Sequence, residues 1–230
     1  MFSAMISHYH KTIFIHIPKN GGQSIENVFL SDLGLSREER LPLLMCPNNI
    51  SSIGPPRLAH LIGSDYFKYH YISRDLFDSY FSFSVVRNPW HRVFSFYKFL
   101  TKQLIPFNEF VNRNFYSKYF CDSALSWFVR PQADYLFDDS NTLLVNNIYR
   151  LESLSKSFDE IRTQSHLPNS AVLPFSNKSS PSRLVPFLKR LRIVNSSFGM
   201  QVKDVYDDKA FKLVSDLYAV DCEKFSYTSL

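Results

Sequence analysis

The sequence predicts an α/β fold with a central, mainly parallel sheet flanked by helices, in a single domain spanning residues 1–230. Three observations predict it. Two short apolar runs, "KTIFIHIP" (11–18) and "SFSVV" (82–86), read as buried strands. Each leads directly into a segment of helical periodicity. The same succession recurs at "TLLVNNIYRLESL" (142–154), where strand material runs into a helix near 152–165.

In the first run Ile13, Phe14, Ile15 and Ile17 supply the apolar side chains, and His16 falls within the strand. A helix follows from Ser24, with Ile25, Val28 and Phe29 at helical spacing. Residues 36–58 hold "SREER" and "CPNNISSIGPP", a polar stretch with Pro and Gly that reads as a mobile loop. After the second strand, "NPWHRVFSFYKFLTK" reads as a helix. Asn88 is its N-cap, Pro89 its first residue, and Val93, Phe94, Tyr97 and Leu100 its apolar stripe. Residues 104–140 are rich in aromatics and read as short helical pieces. "LPFSNKSSPSR" (173–183) is a loop, and "DDKAFKLVSDLYAVDCEKF" (207–225) one amphipathic helix. There is no internal repeat and no low-complexity tract.

Composition narrows the partners. The chain is 45% hydrophobic and 20% charged, which suits a globular protein with a full core. Its net charge of +5 is modest: it suits an anionic ligand and is weak evidence for nucleic acid, which is not expected as a partner. Cys46, Cys121 and Cys222 stand too far apart for a disulfide framework or a zinc spacing, and read as reduced structural thiols. The first 18 residues lack the basic and apolar regions of a signal peptide, and no run reaches the ~18 apolar residues of a membrane span. These features point to a cytosolic chain, in which the sequons at Asn49, Asn177 and Asn195 are chance matches.

Two stretches carry chemistry. In "IPKNGGQS" (17–24) the paired glycines let backbone N–H groups face a ligand without Cβ obstruction. The helix that follows adds its positive end. Lys19 supplies a mobile charge and Ser24 a hydroxyl, so the turn suits a phosphate-like oxyanion. It is not a Walker A loop, whose lysine follows its glycines; an ordinary strand–helix turn is the other reading. In "VVRNPWHRVFSFY" (85–97) Arg87 stands at the strand end, the ligand edge of an open α/β sheet, and Ser95 two turns into the helix. Arg offers a fork to a phosphate, and the hydroxyl can complete its shell. A nucleotide triphosphatase would place an acidic residue on such a strand to organise Mg²⁺. The two anchors therefore read as phosphate sites without a metal; a surface Arg with a core-facing Ser is the alternative.

As a pair these motifs resemble those of sulfotransferases that use PAPS (3′-phosphoadenosine 5′-phosphosulfate). "IPKNGGQSI" is similar to their 5′-phosphosulfate loop, and "RNPWHRVFSFY" to their 3′-phosphate motif, R-[ND]-P-x-x-R-x-x-S-x-Y. The resemblance is to the Golgi carbohydrate sulfotransferases, including the heparan sulfate 2-O-sulfotransferase group, and their bacterial relatives. "RPQADYL" (130–136), "YRLESL" (149–154), "NKSSPSR" (177–183) and "DCEKFSY" (221–227) follow in the family's order. The resemblance implies a P-loop-like three-layer fold with PAPS as co-substrate. Lys19, Asn20, Gly21, Gly22, Gln23 and Ser24 would hold the 5′-phosphosulfate, Arg87 and Ser95 the 3′-phosphate, and Asn177, Lys178 and Ser179 would close over the nucleotide. Gln23 departs from the family's usual Thr, exchanging a hydroxyl for an amide. The chain also lacks the stem and anchor of the Golgi members, which fits a cytoplasmic bacterial enzyme.

The implied reaction is metal-independent sulfuryl transfer to a hydroxyl of an oligosaccharide, polysaccharide or glycolipid. Lys19 is placed to stabilise the leaving phosphate, and a base must take the acceptor proton. Of seven histidines, His60 in "RLAHLIGSDY" is the candidate base, from a placement similar to that of the catalytic histidine in the 2-O-sulfotransferase group. Imidazole titrates near neutrality, which suits the task; a packed or exposed histidine is the alternative. Glu26 on the first helix is the second candidate. His16 reads as structural, and His70 and His91 remain open. Lys189, Arg190 and Arg192 read as a solvated helix face rather than a polymer site. Two other functions compete: a variant nucleotide kinase or triphosphatase, and a nucleotide- or glycan-binding protein without turnover.

Overall fold

The computed structural model describes residues 5–45, 47–53, 58–121, 123–174 and 200–230. In chain order these form β1 (Met5–Ser7), β2 (Thr12–Ile15), α1 (Gly22–Asp32), α2 (Asp65–Lys68), α3 (Arg74–Ser79), β3 (Phe81–Val86) and α4 (Pro89–Thr101). They continue with α5 (Phe107–Glu109), α6 (Ser123–Val129), α7 (Ala133–Leu136), β4 (Asn147–Arg150), α8 (Leu154–Gln164), α9 (Asp208–Leu217) and α10 (Ala219–Phe225). Short 3₁₀ turns include Leu58–His60. The described residues divide into two compact units, one drawn from 1–87 and 132–176, the other from 88–131 and 177–230.

The first unit holds the sheet, in the order β1-β2-β3-β4. β2, β3 and β4 run parallel, with Phe14 beside Phe83 and Ser84 beside Ile148. The mainly parallel sheet is therefore present. No sequence pattern marks β1, a three-residue strand that pairs antiparallel with β2. Its hairpin is held by His10, whose imidazole bonds Ser7 Oγ at 2.6 Å and Asp32 Oδ2, at the end of α1, at 2.8 Å. Phe14, Phe83, Val85 and Tyr149 pack into one core with Ile25, Val28 and Phe29 of α1 and Leu154, Phe158 and Ile161 of α8.

Three boundaries differ from the sequence reading. β2 ends at Ile15, so His16 lies just beyond the strand and not within it. α1 starts at Gly22 rather than Ser24, because Gly21 takes the left-handed conformation (φ 77°) that begins the helix. The stretch 36–58 is anchored midway: Leu43 and Met45 are buried in the core, and short 3₁₀ turns occur at Leu41–Leu43 and Ser51–Ile53.

In the second unit α4 has the expected cap, with Asn88 Oδ1 accepting from the His91 N–H at 3.3 Å. Phe110–Phe120 is a π-helix, whose hydrogen bonds skip five residues. Phe110, Phe115 and Phe120 repeat at that interval and touch in sequence, at 5.9 and 6.5 Å between ring centres. The carboxy-terminal amphipathic segment is two helices, α9 and α10, broken at Tyr218. Tyr218 is buried, and its hydroxyl donates to the Val129 carbonyl. Cys121 and Cys222 are free; burial, then the neighbouring Asp221, pushes the Cys222 thiol up, which makes it a poor nucleophile. Cys46 lies outside the described residues. Among the described residues no helix is long and apolar enough to cross a membrane.

Candidate functional site

The turn from β2 into α1 has an unusual backbone. Lys19 (φ 68°) and Gly21 (φ 77°) both adopt left-handed geometry. For glycine this is free; for lysine it costs about 1–2 kcal/mol. Side chains from elsewhere in the first unit hold it. Arg87 Nη1 donates to the Lys19 carbonyl at 3.0 Å. Asn20 Nδ2 donates to the Val85 carbonyl at 2.8 Å and to Gln132 Oε1 at 2.7 Å. The turn thus feeds an eleven-residue helix whose first turn carries no acidic residue to offset its positive end. Backbone N–H groups, an unopposed helix terminus and Lys19 together suit an oxyanion.

Behind the turn lies a cluster of buried polar side chains. His16 Nδ1 bonds Glu26 Oε1, and both residues are buried. Arg37 Nη2 lies 3.6 Å from Glu26 Oε2. The carboxylate is therefore engaged by a histidine and an arginine, and is poorly placed to take a substrate proton. The His16 ring packs on Gly22, where an added Cβ would fall 2.3 Å from Nε2. His60, on the turn Leu58–His60, sets its ring 4.7 Å from that of His16. Its Nδ1 lies 2.7 Å from the His16 carbonyl. A carbonyl only accepts, so Nδ1 carries the proton. In the neutral ring Nε2 is then the basic nitrogen, the tautomer a general base needs. Tyr66, also buried, donates to the Phe14 carbonyl; burial pushes its phenol well up, so it serves as a donor and not as a base.

Arg87 follows β3 directly and is half-buried. Its backbone is held by Gln132, a fully buried residue: Oε1 accepts from the Arg87 N–H at 2.8 Å, and Nε2 donates to the Arg87 carbonyl at 2.8 Å.

The first unit thus gathers Lys19, Asn20, Gly21, Gly22, Gln23, Ser24, Glu26, His60 and Arg87, with His16 added. Both Asn20 amide hydrogens are taken up by protein acceptors, so its side chain shapes the turn. Ser95 and His91 belong to the second unit, as does Arg92, which is buried and donates to the Arg130 and Phe128 carbonyls. His70 is exposed on a left-handed turn. Asn177, Lys178 and Ser179 lie outside the described residues, as do Lys189, Arg190 and Arg192. Sequence reasoning missed Gln132 and the His16–Glu26 pair. Gln132 stood inside a quoted motif, but no local pattern marks a glutamine whose partners lie 45 and 112 positions away. Among the described residues no group of three or more His, Cys, Asp or Glu is placed to hold a metal ion.

A family model described as "Sulfotransferase family" matches residues 3–228, nearly the whole chain. No curated protein matches the chain, and no solved structure does.

Proposed function

The chain belongs to the sulfotransferase family, and from that premise we propose that it transfers a sulfuryl group from PAPS to a hydroxyl of a carbohydrate acceptor. The observation that carries this reading is the turn 16–24: two left-handed residues, a helix terminus with no acid in its first turn, and Lys19. Such a site fits the phosphosulfate end of the donor. Lys19, Gly21, Gly22, Gln23, Ser24 and the Asn20 N–H hold that end. Arg87 takes the 3′-phosphate as a charged fork. Ser95 at the same phosphate, and Asn177, Lys178 and Ser179 over the nucleotide, rest on the motifs alone, as does the P-loop-like assignment of the fold.

In the reaction the bond between sulfur and the bridging phosphate oxygen breaks, and a bond from sulfur to the acceptor oxygen forms. Lys19 offsets the charge that develops on the leaving phosphate. His60 accepts the acceptor's proton at Nε2, the nitrogen that the bond to the His16 carbonyl leaves basic.

Transfer of labelled sulfate from PAPS to a panel of glycans tests the reading. Labelled glycan is expected both with and without EDTA, since Lys, Arg and backbone N–H groups supply the positive charge. Loss in EDTA that Mg²⁺ restores would support a nucleotide triphosphatase instead. PAP binding with no transfer to any acceptor would support a binding protein of the same fold.

A further inference from the structure

We propose that Gln132 is a positioning residue that fixes the spacing of the two anion anchors, and so sets how strongly the site prefers a nucleotide bearing a 3′-phosphate. The inference rests on the donor reading above. Gln132 is fully buried and acts through its neighbours. A single oxygen, Oε1, accepts from Asn20 Nδ2 in the first anchor and from the Arg87 N–H in the second, at 2.7 and 2.8 Å. Its Nε2 donates to the Arg87 carbonyl at 2.8 Å. The amide orientation follows from chemistry, because a backbone N–H only donates and a carbonyl only accepts. Arg87 closes the circuit by donating from Nη1 to the Lys19 carbonyl at 3.0 Å.

The result is a closed ring of hydrogen bonds: Lys19 and Asn20, Gln132, Arg87, and back to Lys19. The two residues that carry the ligand-binding charges, Lys19 and Arg87, are both members. Neither anchor can shift without stretching a bond that the other also uses. A ligand that spans both anchors gains from this fixed spacing, because no binding energy goes into bringing them together. A ligand that touches one anchor gains much less. Gln132 therefore favours PAP over AMP while touching neither.

Gln132→Met keeps the length of the side chain and removes its hydrogen bonds; Gln132→Asn keeps the amide and withdraws it by one methylene. Dissociation constants for PAP and AMP are measured calorimetrically for wild type and both variants, together with circular dichroism melts and the KM and kcat for PAPS. Wild type is expected to prefer PAP. In Gln132→Met that preference falls about tenfold, the size of one charged hydrogen bond lost. AMP affinity changes little, and KM for PAPS rises more than kcat falls. If Gln132→Met does not fold, Gln132→Asn is read by the same ratio. An unchanged PAP-to-AMP ratio in a folded variant overturns the inference and leaves the donor reading standing. A uniform loss for both nucleotides with a lowered melting temperature also overturns it, since that is a packing role. Equal binding of PAP and AMP by wild type overturns the 3′-phosphate role of Arg87, and the inference with it.

Discussion

Replacing His60 with alanine is expected to lower kcat by about 10²–10⁴-fold, the usual contribution of a general base, with donor affinity close to that of wild type. The histidine donates from Nδ1 to the His16 carbonyl, at the very start of the turn, and is not among the groups proposed to hold the donor. Lys19→Ala should behave differently. It removes the charge proposed to face the leaving phosphate and to hold the donor, so both kcat and PAPS affinity are expected to fall, the latter about 10–100-fold for a charged hydrogen bond. Alanine at position 19 faces the same left-handed strain as lysine, and the bond from Arg87 ends on the backbone carbonyl, so the shape of the turn survives. Titration with PAPS and turnover assays on folded variants separate the two. Near-normal turnover in folded His60→Ala would remove His60 as the base. The next residue to test would then be His16, whose Nδ1 is already held by Glu26.

Gly22→Ala is expected to reduce turnover by roughly 10²-fold, the effect of displacing a catalytic group by about an ångström, and to destabilise the fold by about 1–3 kcal/mol through overpacking. The new methyl would meet the His16 ring at 2.2 Å (Cδ2) and 2.3 Å (Nε2). That ring cannot swing aside cheaply. Glu26 grips Nδ1, Phe14 stacks on one face with its centre 5.6 Å away, and the His60 ring abuts it. Either the start of α1 or the histidine pair must give way. Gly34→Ala is the control: it has open space around its Cβ position but left-handed geometry (φ 67°). It should lose about 1–2 kcal/mol with activity intact. Melting curves and specific activity measured side by side check both. A Gly22→Ala enzyme with wild-type turnover would show that the packing of His16 on the helix start has no part in catalysis.

What the sequence disclosed is mostly local. Apolar runs marked β2 and β3, an Asn-Pro pair marked the start of α4, and paired glycines marked the cradle, because each signal lies within a few residues of what it specifies. β1 went unread because three residues give too short a pattern, and what holds them is a histidine bonded to the far end of α1. The carboxy-terminal pair of helices read as one because the apolar spacing continues across Tyr218, whose hydroxyl is drawn to Val129. The candidate site followed the same rule. The residues proposed to face the ligand sit in contiguous motifs, so the sequence alone could name them as candidates. The buried partners that give them their shape, Gln132 and the His16–Glu26 pair, depend on tertiary approach and were not.

The bond between Asn20 and Gln132 joins positions 112 residues apart. During synthesis from the amino terminus the cradle sequence emerges early, yet the amide that completes it is made much later. Closing so long a loop carries an entropic penalty that only the assembled sheet can offset. Anion-binding ability should therefore appear late and together with global folding. A nascent chain that stops short of residue 132 carries every residue proposed to face the ligand at the first anchor, but it lacks the clip that fixes where that anchor stands.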